Sequence, residues 1–194
     1  TENRYLYDLE HAQRLVLIYQ EVLKEICEAE ALADESRFDC VLLEKPYSEK
    51  KIGNDTYVNN GFHVHFPNCF MDKKCIRVHL MPRIKKRVGE MALFEDIPVD
   101  DNSQILDEAV VSNPWLMYGC KKDGPGMHPY LATCGFDSSG ELKSVEETLE
   151  KCEIFNCDGD EIDLTQENVR EHMARIMSIR VHHRRVSEIR NNLV

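Results

Sequence analysis

Residues 61–67 read GFHVHFP, a strict two-residue alternation opened by a glycine and closed by a proline. That period admits an extended strand and no helix, because successive side chains of a strand leave on opposite faces. Phe62, Val64 and Phe66 share one face, the natural core face; Gly61, His63 and His65 share the other. A glycine beside two imidazoles leaves room for a ligand to approach the backbone. Three readings of the histidine face stay open here. It is the polar side of a half-exposed strand, a His-x-His metal pair completed by residues such as His79 or His128, or an anion site where an imidazole donates to a phosphate.

The strand needs neighbours, and the flanking sequence supplies them. FDCVLLEK is a nearly continuous apolar run that predicts a buried strand. Upstream, Leu15, Ile18, Tyr19, Val22 and Ile26 recur close to a 3.6 period, which predicts an amphipathic helix. PYSEKKIGNDTYVNN reads as a polar, turn-rich connector around Gly53. KKCIRVHLMPRIKKRVGEMALFED begins ambiguously and continues as a basic helix. A strand is expected at 115–118, then a Gly/Pro loop, then strands in YLATCGF and CEIFNC. Asp163 with Gln166 three residues on resembles a capping box opening a last helix, whose apolar face is Val169, Met173, Ile176 and Met177. Helices and strands in this order predict an α/β (α+β) fold with a mixed sheet flanked by helices.

Composition narrows the class. In 194 residues, 42% hydrophobic and 30% charged content is ordinary for a soluble globular chain. No apolar run approaches the roughly 20 residues that span a bilayer, so no membrane partner is expected. The chain starts at Thr1 in mid-pattern, as a piece of a longer chain would. The eight cysteines have no Cys-x-x-Cys spacing and read as free thiols in a reducing compartment, with zinc binding by Cys134, Cys152 and Cys157 as the alternative. Asn156, Asp158, Asp160 and Glu167 fall at calcium-loop offsets, but the glycine stands fourth rather than sixth and Asp163 replaces an apolar residue. A net charge of −11 argues against a nucleic-acid partner only on average. The cations cluster at 73–74, 83–87, 121–122 and 179–185, and a local groove matters more than the sum. Each cluster also reads as a solvated face. Asp107 lies between apolar residues just before an apolar stretch, where a carboxylate needs a partner, a metal or a cap. Gly119 and two lysines follow at the end of the tryptophan segment, as a triphosphate contact or a surface turn.

VLLEK, NNGFHVHFPN and ILDEAV…NPWLMYGCKK…HPYLAT, in this order, resemble the primase domain of the primase–helicase proteins of large nucleocytoplasmic DNA viruses, a branch of the archaeo-eukaryotic primase superfamily. The resemblance covers roughly residues 38 to 135. It implies that Gly61 and His63 belong to a motif whose histidine contacts the phosphates of the incoming nucleotide. It implies that Asp107 is the carboxylate of a later motif and helps hold a divalent metal, Mg²⁺ or Mn²⁺. Gly119 and Lys122 match the glycine and lysine that follow the tryptophan strand, while Cys120 stands where a serine is common. His65 is a neighbour without a role. Arg83, Lys85, Lys86 and Arg87 are placed to track template phosphates.

The family's first motif, two acids two residues apart on a strand, has no strand-borne counterpart in residues 1–40. Asp34 and Glu35 are adjacent, and Asp39 has no acidic partner two residues away. That motif is expected upstream of Thr1, the alternative being that this homologue has lost it. Residues 1–160 then form the C-terminal part of the catalytic domain, and 161–194 a terminal helix leading towards a linker. What the resemblance implies is template-directed nucleotidyl transfer from nucleoside triphosphates on single-stranded DNA, in the host cytoplasm. A helicase region of the same parent chain would bind ATP and form a hexamer, since no Gly-x-x-x-x-Gly-Lys-Ser/Thr loop occurs here. The alternatives are a non-catalytic nucleic-acid-binding or assembly module attached to a helicase, and a His-x-His metallohydrolase.

Overall fold

A computed structural model describes residues 6–28, 32–97, 105–113, 116–124, 126–178 and 189–190. Trp115 and the basic stretch 179–185 lie outside them. Helix α1 (Leu9–Ile26) opens the fold, capped by Asp8, whose carboxylate accepts the His11 N–H at 2.9 Å. His11 Nε2 reaches Asp96 Oδ1 at 3.0 Å, tying the cap to the segment after the basic helix.

The strands follow as β1 (Cys40–Glu44), β2 (Ser48–Ile52), β3 (Asp55–Asn59), β4 (Phe62–His65), β5 (Leu131–Phe136), β6 (Leu142–Lys143), β7 (Ile154–Phe155) and β8 (Glu161–Ile162). Four of them form one sheet in the order β4-β1-β5-β6. Between β4 and β5 run α2 (Lys73–Cys75), a π turn (Ile76–Leu80) and α3 (Met81–Glu90). Later come α4 (Val145–Leu149) and α5 (Val169–Ile176). The α+β class holds, but every pairing among the described residues is antiparallel rather than mixed. No helix among the described residues is long and apolar enough to cross a membrane.

Strand β1 lies between β4 and β5 and is buried from Cys40 to Leu43. On one face Cys40 and Leu42 pack with Phe136 against Ala12 and Val16 of α1, joined by Phe62 and Val64. On the other, Val41 and Leu43 pack with Val145 and Leu149 of α4 and Val169, Met173 and Ile176 of α5. A third cluster joins the far side of α1, through Leu15, Ile18 and Val22, to Leu80, Ile84, Leu93 and Phe94. The expected apolar face of the last helix is buried in full. Buried Gln20 donates to the carbonyls of Phe38 and Asp137 at 2.9 and 2.6 Å, stitching α1 to the end of the sheet where β1 begins and β5 finishes.

Four local expectations change. The polar connector at 46–60 is the β2–β3 hairpin, closed by Gly53 and Asn54, where φ of +64° at Gly53 fits the tight turn. Its strands carry too few apolar residues to announce a pattern. Residues 116–118 are irregular rather than a strand, and Glu108–Val111 is a one-turn 3-10 helix. Asp163 does not cap α5. The N-cap is Asn168, held by reciprocal bonds in which Thr165 N–H donates to Asn168 Oδ1 at 2.8 Å and Asn168 N–H to Thr165 Oγ1 at 3.3 Å. The ambiguous start of the basic helix is a π turn, which runs into Pro82, where a missing N–H interrupts the i→i−4 ladder.

Gly135 lets α4 lie on β5. A Cβ there would stand 1.9 Å from Thr148 Oγ1 and 3.0 Å from the Ser144 carbonyl. Thr148 is itself buried and bonded to that carbonyl, so it has no room to retreat. Gly135→Ala should destabilise the chain by about 1–3 kcal/mol in chemical denaturation. An unchanged midpoint would show that α4 is not seated there.

Candidate nucleotide site

His63 sits on β4 at the edge of the sheet, opposite Leu43 of β1 in the register. The alternation read from GFHVHFP is realised: Phe62 and Val64 pack towards α1, and the two histidines take the face of Val41 and Leu43. The imidazole of His63 stacks on the ring of Tyr130, with centroids 4.0 Å apart and planes 17° from parallel. Lys45, the residue after β1, brings its Nζ to 4.9 Å from the centroid of the same ring. Burial, then the positive charge of Lys45, hold the His63 imidazole below its usual range, while Asp107 pulls the other way. Burial and Lys45 together thus favour the uncharged form of the imidazole.

Gly61 precedes this strand in ordinary backbone geometry, and an added Cβ would meet Tyr130 Oη at 3.9 Å, an ordinary contact. The fold does not demand glycine there, so what its small size supplies is open space above the strand. Asp107 is exposed and is the N-cap of the 3-10 turn, with Oδ1 accepting the Ala109 N–H at 2.8 Å. Its cap role is thus realised, beside the electrostatic link to His63. A hollow of about 370 Å³ lined by Arg77, Met81, Glu108, Ala109, Val111 and Ser112 flanks the same turn, with Arg77 donating to Ser112 Oγ at 2.9 Å.

Gly119 and Lys122 lie on an exposed turn where Gly119 has φ of +80°. The turn is anchored through Tyr118, whose hydroxyl accepts the Ala132 N–H at 3.1 Å, two residues from Tyr130. The basic helix is largely engaged with the protein itself. Arg87 pairs with Glu21 at 2.7 Å and with Glu25, Lys85 with Glu108 at 2.5 Å, and Lys86 with Glu90 at 3.7 Å. Arg83 donates to the His79 carbonyl at 2.8 Å. No group of three His, Cys, Asp or Glu side chains able to hold a metal comes together among the described residues. Asp107 thus contributes at most part of a metal site. Cys134 packs on the α1 face of the sheet and Cys152 on the other, which separates two of the three expected zinc ligands. The calcium-loop stretch is the β7–β8 hairpin, where Asn156 Oδ1 accepts the N–H groups of Asp158 and Asp160, both at 2.9 Å.

Three features escaped the sequence reading. Lys45 and Tyr130 carry no motif; only the strand boundaries, once known, place them beside His63. Glu44 is the third. It accepts from Tyr7 Oη at 2.8 Å and from Thr133 Oγ1 at 2.5 Å, across a β-bulge that shifts the β1–β5 register at Leu42/Leu43. Acid pairs two apart do precede residue 40. Asp8 and Glu10 are such a pair, but they cap and open α1, so they are not on a strand. Glu30, the partner of Glu28 at this spacing, lies outside the described residues.

A family model described as "C962R protein N-terminal AEP domain" matches residues 1–136. "Putative helicase 121R" of Invertebrate iridescent virus 3 is 27% identical over 187 residues, which is 92% of this chain and 18% of that protein. "Putative helicase 184R" of Invertebrate iridescent virus 6 is 29% identical over 181 residues, 89% of this chain and 18% of that protein. The chain thus spans less than a fifth of the length of these curated relatives. No solved structure matches it. The family match runs from α1 through β5 and takes in every residue of the site just described, so the chain belongs to this family, the archaeo-eukaryotic primase domains of viral primase–helicase proteins.

Proposed function

We propose that this chain binds the triphosphate of an incoming nucleotide and takes part in template-directed nucleotidyl transfer, within a parent protein that primes and unwinds DNA during viral replication. The observation that carries this reading is the His63 site. An uncharged imidazole on an edge strand, aligned by Tyr130, lies beside a glycine that keeps the space above it open. Family membership and the relatives' printed description as putative helicases support it.

In this reading His63 donates to a phosphate oxygen, and Lys122 reaches the same triphosphate from its exposed turn. Both hold the reacting phosphorus in line and offset charge that builds on the leaving pyrophosphate. Asp107 offers one carboxylate to a divalent ion, since Mg²⁺ and Mn²⁺ take oxygen ligands. A divalent ion held there would supply activation of the attacking hydroxyl and charge neutralisation at the leaving group. The carboxylates among the described residues do not complete such a site. Of the α3 cations, Lys86 is best placed for template phosphates: it is 75% exposed, and its one acidic partner lies on the same helix. The parent assembles as a ring through its helicase region and works in the host cytoplasm.

A second reading, a non-catalytic module that feeds DNA to an attached helicase, draws on one observation: no group of three metal-ligating side chains comes together among the described residues. A pair of acids two apart upstream in the parent favours the enzyme.

In the full-length parent, His63→Ala and Asp107→Ala should each lower primer synthesis on the order of 100-fold or more, with folding intact by circular dichroism. Near wild-type synthesis by either variant contradicts the site. A pH dependence follows from the depressed proton affinity of His63. The anionic triphosphate favours the imidazolium that Lys45 and burial disfavour, so binding takes up a proton. Affinity should therefore rise as pH falls below the ordinary histidine value of about 6.5. His63→Gln should lose that rise, with the ligand's own titration common to both proteins. Parallel profiles for the two would place the triphosphate away from His63.

A further inference from the structure

We infer that Lys73, Lys74 and Arg77 form the surface that holds a single strand of DNA by its phosphates, with Arg77 seating one phosphate at the mouth of the hollow beside the 3-10 turn. This rests on the reading of the parent as a protein that works on a DNA strand, and not on the triphosphate contact of His63. Helical spacing brings the three cations together. Lys73 lies four residues before Arg77 and Lys74 three, so they leave α2 and the π turn on one side, and all three are exposed. At about 1.5 Å of rise per residue, Lys73 and Arg77 are offset by about 6 Å, close to the step between successive phosphates of a DNA strand.

These cations differ from those of α3 in what they meet. Arg87 and Lys85 are directed onto glutamates of α1 and of the 3-10 turn, and Lys86 onto Glu90. Among the described residues Lys73 and Lys74 take part in no ion pair, and Arg77 has a neutral partner, donating to Ser112 Oγ at 2.9 Å. A guanidinium presents several N–H donors in a planar fork that fits two oxygens of one phosphate, and the hydroxyl uses only part of it. The acids of the neighbourhood are engaged elsewhere. Asp72 caps α2 by accepting the Lys74 N–H at 2.7 Å, Glu108 holds Lys85 at 2.5 Å, and Asp107 caps its own turn. The hollow gives the place depth: Arg77 comes to it from the π turn and Ser112 from the end of the 3-10 turn, with Met81 and Val111 as apolar lining for a sugar or base. The same turn begins at Asp107, so a DNA strand seated there runs past the carboxylate proposed to hold the metal.

The test measures binding of a short fluorescein-labelled oligothymidylate to the 194-residue chain by anisotropy across a salt series. Arg77→Gln should weaken binding at low salt about tenfold, the scale of one lost charge-assisted contact. The double variant Lys73→Gln/Lys74→Gln should weaken it as well. The slope of log affinity against log salt should become shallower by about 0.7 for each cation removed. Arg77→Lys should keep the slope and lose part of the affinity, because it keeps the charge without the fork. Lys143→Gln removes the same charge from β6, at the sheet edge opposite β4, and should change neither quantity. Wild-type affinity and slope in Arg77→Gln and in the double variant overturn this surface and leave the reading of the parent standing. An equal loss in Lys143→Gln overturns it too, since the attraction would then be one of general charge. A wild-type chain that binds a nucleoside triphosphate but no oligothymidylate at low salt overturns the strand surface alone; one that binds neither overturns the reading of the parent with it.

Discussion

Burial of β1 on both faces is the constraint on which the rest of the structure depends. Cys40, Val41, Leu42 and Leu43 are each no more than 5% exposed, so the strand can exist only with a layer on either side. Helix α1 covers one face and the α4–α5 pair the other. At roughly 25 cal/mol per Å² of apolar surface, a fully buried aliphatic side chain contributes about 1.5–3 kcal/mol. The strand's neighbours are thereby set in both directions, β4 on one side and β5 on the other. The site follows from this placement. One strand step beyond the buried run the chain turns polar, and Glu44 and Lys45 emerge where β4 begins.

The charges around His63 act on it in opposite directions. His63 is partly buried, and Lys45 weighs against its protonation more than Asp107 favours it. The acidic surface of the chain, at net −11, makes the local cationic character stand out, since a polyanion would be repelled elsewhere. The basic helix α3, which draws attention in the sequence, spends two of its four cations, Arg87 and Lys85, on α1 and on the 3-10 turn.

Legibility of the sequence tracked how strongly local pattern and tertiary burial agreed. The α1 helix, β4 and the apolar face of α5 were readable because a single period decided them, and β1 because its apolar run is nearly continuous. The β2–β3 hairpin was not, because Ser48–Ile52 and Asp55–Asn59 have little apolar content and no core to face. The cap of α5 was misplaced by five residues because Asp163 and Gln166 match a spacing that Thr165 and Asn168 satisfy with better geometry. Among site residues, His63 and Gly61 could be found through alternation and resemblance. Lys45 and Tyr130 could not, since their proximity depends on which strand lies beside which. The antiparallel order of the sheet was equally invisible, because strand periodicity is the same in both directions.

The account's central claim is that the triphosphate lies on β4 at Gly61 and His63. A crystal structure of this chain with a non-hydrolysable nucleoside triphosphate and Mn²⁺, its metal located by anomalous scattering, tests that most directly. The account predicts a phosphate oxygen within hydrogen-bond distance of a His63 ring nitrogen, and a metal peak on the side of Asp107. A triphosphate seated instead in the hollow between Arg77 and Ser112, or along α3, would contradict it.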